Sequence, residues 1–171
     1  KDISIAMIQE TRIGTNSRES RNEYTWFFSG EKQHQKDYIA GVAIVIKNSM
    51  LKHLIDIEPV SDRVMWATWS GTINLTTICA HIPQSNRSRE DKEAIYTEIE
   101  NITNKTHKKG PVIVGADFNA RIQKATNENE RKYIGNLTFE PETARIHDRT
   151  TGILENRNLL IGYCNKYDMV L

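Results

Sequence analysis

The sequence predicts an α/β protein, and three observations carry that expectation. Seven short runs rich in β-branched and aromatic residues read as strands, most of them in the first half of the chain. A long amphipathic helix is predicted from about Arg89 to Lys108, and a second over Gly152 to Lys166. With 38% apolar and 26% charged residues in 171, the chain has ordinary globular proportions and enough length to bury a core, so it reads as one domain over 1–171 without a linker.

Ile3-Ser4-Ile5-Ala6-Met7-Ile8 alternates as a strand does, to Gln9, and runs into the polar cluster Gln9-Glu10-Thr11-Arg12. Further strands are predicted at Tyr24 to Phe28, Gly41 to Lys47 and Leu51 to Ile57. Ser70-Gly71 is a turn signal, so Val64 to Trp69 and Ile73 to Ala80 are expected to form an antiparallel hairpin.

The first helix repeats Ala94, Ile95, Ile99 and Ile102 on one face, which suits covering a sheet. Ser88 and Asp91 resemble a capping box, and Lys105, His107, Lys108 and Lys109 suit the negative end before Gly110. Gly110-Pro111 then punctuates a short apolar strand, Val112 to Gly115. Residues 122–150 are polar, with Asn127-Glu128-Asn129-Glu130 expected as a mobile loop. The second helix gathers Leu159, Leu160, Tyr163, Cys164 and Tyr167 on one side, and Asp168 to Leu171 is expected to begin another strand.

Bulk charge does not announce a nucleic-acid partner, since 23 basic and 22 acidic residues leave a net charge of +1. Attraction to phosphate would have to come from local patches, either Arg12, Arg18 and Arg21 or Arg87, Arg89 and Lys92, each equally readable as a solvated face. Cys79 and Cys164 lie among apolar neighbours, as reduced buried thiols do, rather than in a disulfide or zinc pattern. No signal peptide or run of about eighteen apolar residues is present, so an intracellular protein without a membrane partner is expected. The Asn-x-Ser/Thr triplets at Asn74, Asn86, Asn101, Asn104 and Asn136 are discounted as chance products of an Asn-rich chain.

Chemistry concentrates at two strand ends. Val114-Gly115-Ala116-Asp117-Phe118-Asn119-Ala120 sets a carboxylate and a carboxamide two residues apart, and on an extended segment such side chains share one face. Gly115 and Ala116 are small enough to let the chain turn and a phosphate approach. The alternative is an Asx-type turn in which Asp117 bonds its own backbone. Glu10, at the other strand end, is a hard-oxygen donor of the kind Mg²⁺ takes, or else a solvated loop charge beside Arg12.

Gln9-Glu10-Thr11, followed far downstream by Gly115-Ala116-Asp117-Phe118-Asn119-Ala120, resembles the endonuclease/exonuclease/phosphatase superfamily. Gly41 to Ile46, Arg63 to Thr68 and Tyr133-Ile134-Gly135-Asn136 are most similar to the endonuclease domain of LINE-type (non-LTR) retrotransposons and their craniofacial-development-protein-2-like relatives, and the likeness runs through nearly all of the chain. The resemblance implies a four-layered α/β sandwich, two packed and mostly antiparallel sheets flanked by helices, truncated at both ends. It implies a DNA endonuclease dependent on Mg²⁺ or Mn²⁺ that nicks target DNA, in the nucleus, with a reverse transcriptase domain in the same full-length polypeptide. Another phosphoester substrate within the superfamily, or a non-catalytic remnant, are the alternatives.

Under the same resemblance Glu10 is the metal ligand, Asp117 orients or deprotonates the attacking water, and Asn119 holds a phosphate oxygen. His81, in His81-Ile82-Pro83, stands where the family carries a phosphate-contacting Tyr, and reads equally as a loop His before a turn-setting Pro. Arg12 and Arg63 are candidate phosphate contacts; Arg63 could also brace the carboxylates or pair with Asp62 or Glu58. Trp26, Trp66 and Trp69 read as core before they read as base-stacking platforms. The family's Asn-bearing first strand and closing Ser-Asp-His motif are not in this sequence, and none of His34, His53, His81, His107 and His147 has the context of that closing His. The chain by itself is therefore expected to be catalytically crippled.

Overall fold

The computed structural model describes residues 3–31, 40–135, 138 and 151–171. The chain resolves into two compact units, one of residues 1–82 and 97–117, the other of residues 83–96 and 118–171.

The first unit is two packed four-stranded sheets, so the fold is the expected α/β type with a two-sheet sandwich. Strands β1 (Ile5–Gln9), β2 (Ser17–Arg21), β3 (Tyr24–Ser29) and β4 (Val42–Lys47) form an antiparallel sheet in the order β1-β4-β3-β2. Strands β5 (Leu54–Pro59), β6 (Val64–Trp69), β7 (Leu75–His81) and β8 (Val112–Asp117) form the second sheet in that order. The β6–β7 pair is the predicted hairpin, while β7 and β8 pair in parallel, with helix α1 (Arg89–Thr106) between them in the chain. A parallel pair needs such a crossover, whereas antiparallel neighbours need only a turn.

The core lies where Val42, Ile44 and Ile46 of β4 meet Met65, Ala67, Trp69 and Cys79 of the second sheet. β4 is buried on both faces, which is why its sequence is apolar throughout rather than alternating. Each fully buried Ile or Val contributes about 1.5–3 kcal/mol relative to exposure. Gly115 lies inside β8 directly under Met7 of β1, and a Cβ there would run into the Met7 thioether, so close approach of the sheets is a second use for that glycine.

Trp66 and Trp69 are buried, as expected, and Trp69 Nε1 donates to Thr77 Oγ1 at 3.0 Å. Trp26 is only half-buried, stacked on Phe28 with ring centroids 5.9 Å apart. The second half of α1 reaches the second sheet through Lys105 Nζ, 4.9 Å from the Trp66 ring centroid, and through Glu98, which accepts from Ser61 Oγ at 2.7 Å.

Some local expectations are corrected. β2, Ser-Arg-Glu-Ser-Arg, has no apolar residue to signal a strand. It forms by register with β3 across a turn at Asn22 (φ 53°), and the Arg18 and Arg21 guanidinium groups lie over the Phe27 and Trp26 rings. Asn48–His53 forms a 3₁₀ segment, so the strand expected from Leu51 begins at Leu54. Ala94 is exposed, and the buried positions of α1 are Lys92, Ile95, Tyr96, Ile99, Ile102, Thr103 and Thr106.

In the second unit, helix α2 (Thr151–Tyr167) sets Tyr163 against Tyr96, with centroids 6.1 Å apart, and against Tyr167 at 5.1 Å. Asp168 to Leu171 is not a strand. Asp168 turns left-handed (φ 53°), Met169 N–H bonds back to the Cys164 carbonyl and Leu171 N–H to the Tyr133 carbonyl, a left-handed closure of a helix end. Lys92 is fully enclosed, its Nζ donating to Glu155 Oε2 at 2.6 Å and to the Ser85 carbonyl at 3.2 Å.

The loop expected to be mobile, Asn127 to Glu130, is tied down. The Glu130 carboxylate accepts two bonds from Arg157 and one from Thr126 N–H. Asn136, His34 and His147 lie outside the described residues, as does most of the polar stretch beyond Gly135.

Both cysteines are buried free thiols, with burial pushing Cys79 up to about 12 and Cys164 up to about 11. A thiol reagent at pH 8 is accordingly expected to label neither cysteine until the chain is unfolded in denaturant, and rapid labelling of the native protein would contradict the burial. Among the described residues no helix is long and apolar enough to cross a membrane.

Candidate active site

Parallel pairing makes His81 and Asp117 register partners at the carboxyl ends of β7 and β8. Residues two apart on a strand share a face, so His81 follows Cys79, and Asp117 follows Gly115, on the side turned toward the first sheet. Gln9, last in β1, donates through Nε2 to the Gly115 carbonyl at 3.3 Å and to Cys79 Sγ at 3.5 Å, which ties the end of β1 to the ends of β7 and β8. Glu10 is the next residue. Its Oε1 lies 3.7 Å from His81 Nε2.

The loop bearing Glu10 is held in an uncommon conformation. Glu10 and Arg12 both have φ 55°, a left-handed geometry that costs a non-glycine residue on the order of 1 kcal/mol or more. Backbone bonds compensate: Thr11 N–H reaches the Gly41 carbonyl, Arg12 N–H the Ala40 carbonyl, and Gly41 N–H the Asp62 carbonyl. Gly41 has φ 109°, and a Cβ there would strike Thr11 Oγ1. Gly41→Ala is therefore expected to lower unfolding free energy by about 1–3 kcal/mol in urea titration, through strain at both Gly41 and the Thr11 loop. An unchanged midpoint would show that the loop is not braced there.

The His81 ring is fully buried, between a cation and a carboxylate. Arg63 Nη1 lies 3.4 Å from Nδ1 and also donates to the His81 carbonyl at 3.3 Å. A guanidinium only donates, so Nδ1 is the acceptor and Nε2 carries the hydrogen, directed toward Glu10. Burial, then the Arg63 charge, lowers the His81 pKa, against opposing pulls from Asp117, Glu10 and Asp62, and the ring is neutral at physiological pH. At 3.7 Å the approach to Glu10 is too long for a hydrogen bond, and Nε2 is a buried donor without a hydrogen-bond partner.

Glu10, Arg63, His81 and Asp117 are thus brought together by strand ends distant in sequence. The expectation that His81 itself touches a phosphate does not fit an enclosed ring; its geometry is that of a group steering Glu10. Arg63 is braced against His81 and is half-buried, whereas Arg12 exposes its side chain. Of the two basic patches, the one drawn through Arg87, Arg89 and Lys92 is corrected, because Lys92 is enclosed beside Glu155 and Arg89 Nε donates to Glu93 at 2.7 Å.

Asn119 belongs to the second unit, whose later segment begins at Phe118, and lies two residues beyond Asp117 in left-handed backbone (φ 45°). Its carbonyl accepts from Nδ2 of Asn156 on α2 at 3.0 Å. Asn156 and Gln9 are functional candidates that reading the sequence did not single out. Gln9 could have been found as the polar residue in the inward series Ile5, Met7, Gln9, while Asn156 is one of several Asn in a helix and has no local signal.

The donor set suits a hard divalent cation. Glu10 leaves 48% of its side chain exposed and Asp117 is exposed, and Mg²⁺ takes one or two protein carboxylates while filling its other positions with water and phosphate oxygens. Among the described residues no group of three or more His, Cys, Asp or Glu side chains forms a ready cage, which is the pattern for an all-protein site rather than for one shared with substrate. No protein-family model and no curated protein matches the chain.

Proposed function

We propose that this chain is a divalent-metal-dependent phosphodiesterase domain, a Mg²⁺-dependent DNA endonuclease of the LINE-type retrotransposon kind that nicks target DNA. The observation that carries the reading is the meeting of Glu10, His81 and Asp117 at one pole of a two-sheet sandwich. DNA is then the partner, the nucleus the setting, and a reverse transcriptase domain the companion in the full-length polypeptide.

Glu10 would hold Mg²⁺ or Mn²⁺. The ion supplies charge neutralisation on the phosphate and on the departing oxygen. The chain's own residues supply orientation. Asp117, exposed at its strand end, accepts a hydrogen bond from the attacking water and can take its proton. His81, held neutral by burial and Arg63, directs Nε2–H at Glu10 and would orient the carboxylate once the 3.7 Å separation closes to hydrogen-bond length. Asn119, by resemblance to the family motif, offers its amide hydrogens to a non-bridging oxygen. Arg12 adds positive charge on the same loop as Glu10.

The test is conversion of supercoiled plasmid to open circles by this chain and by any longer polypeptide that carries it. Nicking that needs Mg²⁺, stops with EDTA and is lost in Asp117→Ala and Glu10→Ala supports the proposal. No metal-dependent nicking by either would leave a non-catalytic remnant, and turnover of another phosphoester in its place would move the substrate class.

A further inference from the structure

One buried amide in the second unit is used in an unusual way. Asn156 is fully enclosed on α2, and its Nδ2 faces three backbone carbonyls: Pro83 at 3.0 Å, Asn119 at 3.0 Å and Phe118 at 3.5 Å. Its Oδ1 is buried without a hydrogen-bond partner. The orientation follows from chemistry, since exchanging the two atoms would set an oxygen against three oxygens. A residue that merely filled space would be apolar and would not leave a buried acceptor unmatched.

The three carbonyls belong to the two segments that leave β7 and β8. Pro83 lies two residues after His81, and Asn119 two after Asp117, with Ile82 N–H bonding the Asp117 carbonyl between the strand ends. Beyond that bond the segments have left the sheet ladder, and the Asn156 amide bridges them. Asn119 stands in left-handed backbone, a conformation that needs an external hold to stay fixed.

We infer that Asn156 is a positioning residue: its amide clasps the strand-exit segments and fixes the backbone of Asn119, so that the Asn119 carboxamide is presented to substrate in one orientation. The functional half of this inference rests on the phosphodiesterase reading; the clasp itself does not.

Two readouts separate these halves. In the first, thermal midpoints of wild type, Asn156→Ala and Asn156→Asp are compared from pH 4 to 8. An aspartate there is buried against carbonyl dipoles, which raises its pKa, so it donates when protonated and is repelled when ionised. The Asp variant's deficit should be greatest near pH 8 and shrink as pH falls, while the Ala variant's deficit stays flat. A flat deficit in both, or none, overturns the clasp.

In the second, nicking is measured for Asn156→Ala, Asn119→Ala and the double variant. If Asn156 acts through Asn119, its loss lowers kcat about tenfold or more with little change in KM, and has no further effect once Asn119 is truncated. Multiplicative effects, or an unchanged kcat, overturn the positioning role. Should the wild-type polypeptide not nick at all, the phosphodiesterase reading and the positioning role fall together, and the midpoint series still decides the clasp.

Discussion

Asp117→Ala should reduce metal-dependent nicking by about a thousandfold or more, while shifting the unfolding free energy by no more than about 0.5 kcal/mol. The asymmetry follows from placement. Asp117 closes β8 with its side chain exposed, so its removal opens no buried cavity. Its carboxylate is nonetheless register-matched to His81 and raises the His81 pKa, as Glu10 does, so both carboxylates bear on one imidazole. Glu10→Gln should show a comparable loss, since it keeps the side-chain shape facing Nε2 but removes the charge a cation needs. His81→Ala should cost less, about 10–100-fold, as expected of a group that orients a metal ligand. Because His81 is held neutral, the acid limb of the pH–rate profile should fall below the ordinary histidine range; a limb near 6.5 that vanishes in His81→Ala would contradict the buried neutral ring. Nicking by Asp117→Ala within threefold of wild type would remove the basis of the functional proposal.

How much of the fold could be read from the chain depended on whether local pattern and tertiary environment agreed. β4 and β6 are buried runs of apolar residues, and their boundaries fall within one residue of expectation. β2 is the opposite case. Ser17 to Arg21 has no preference of its own for a strand, and its structure comes from the ladder of β3 and from aromatic rings beneath two arginines. Lys92 defeated the helical pattern for a related reason: it is a lysine on the buried face, tolerated because Glu155 neutralises it from the other helix. Periodicity cannot foresee that, because the partner is 63 residues away.

The site was legible as chemistry but not as geometry. Glu10 and Asp117 are recognisable in one dimension as carboxylates at strand ends, whereas the parallel pairing that sets Asp117 beside His81 is visible only in the fold. His81 stays open in the sequence between a phosphate contact and a loop His before Pro, since nothing in His-Ile-Pro reveals that the ring is fully enclosed. The left-handed backbone at Glu10, Arg12 and Asn119 was equally invisible. Such conformations are supported by bonds to the Ala40 and Gly41 carbonyls in the first unit and by Asn156 in the second, and their occurrence at candidate residues draws attention to those residues independent of any motif.

The largest stability effect is expected at Arg157, in the second unit. Its guanidinium grips Glu130 in a fork, Nη1 to Oε1 at 3.1 Å and Nη2 to Oε2 at 2.6 Å, with side-chain exposures of only 6% and 14%. Those bonds hold the Glu130 pKa down to about 2 against the effect of burial. Arg157→Ala leaves a largely buried carboxylate without its cation, which costs about 3–5 kcal/mol, whereas Arg157→Met with Glu130→Gln should restore most of the loss. The sign of the pH dependence follows from the depressed value. The pair's stabilisation is complete above the unfolded carboxylate pKa of about 4.3 and disappears as pH falls through the folded value, so wild-type stability should decline between roughly pH 5 and pH 2. Glu130→Gln should flatten that decline by the contribution of this one group. An acid limb of unchanged steepness in the variant would mean that the Glu130–Arg157 fork is not what ties the 127–130 loop to α2.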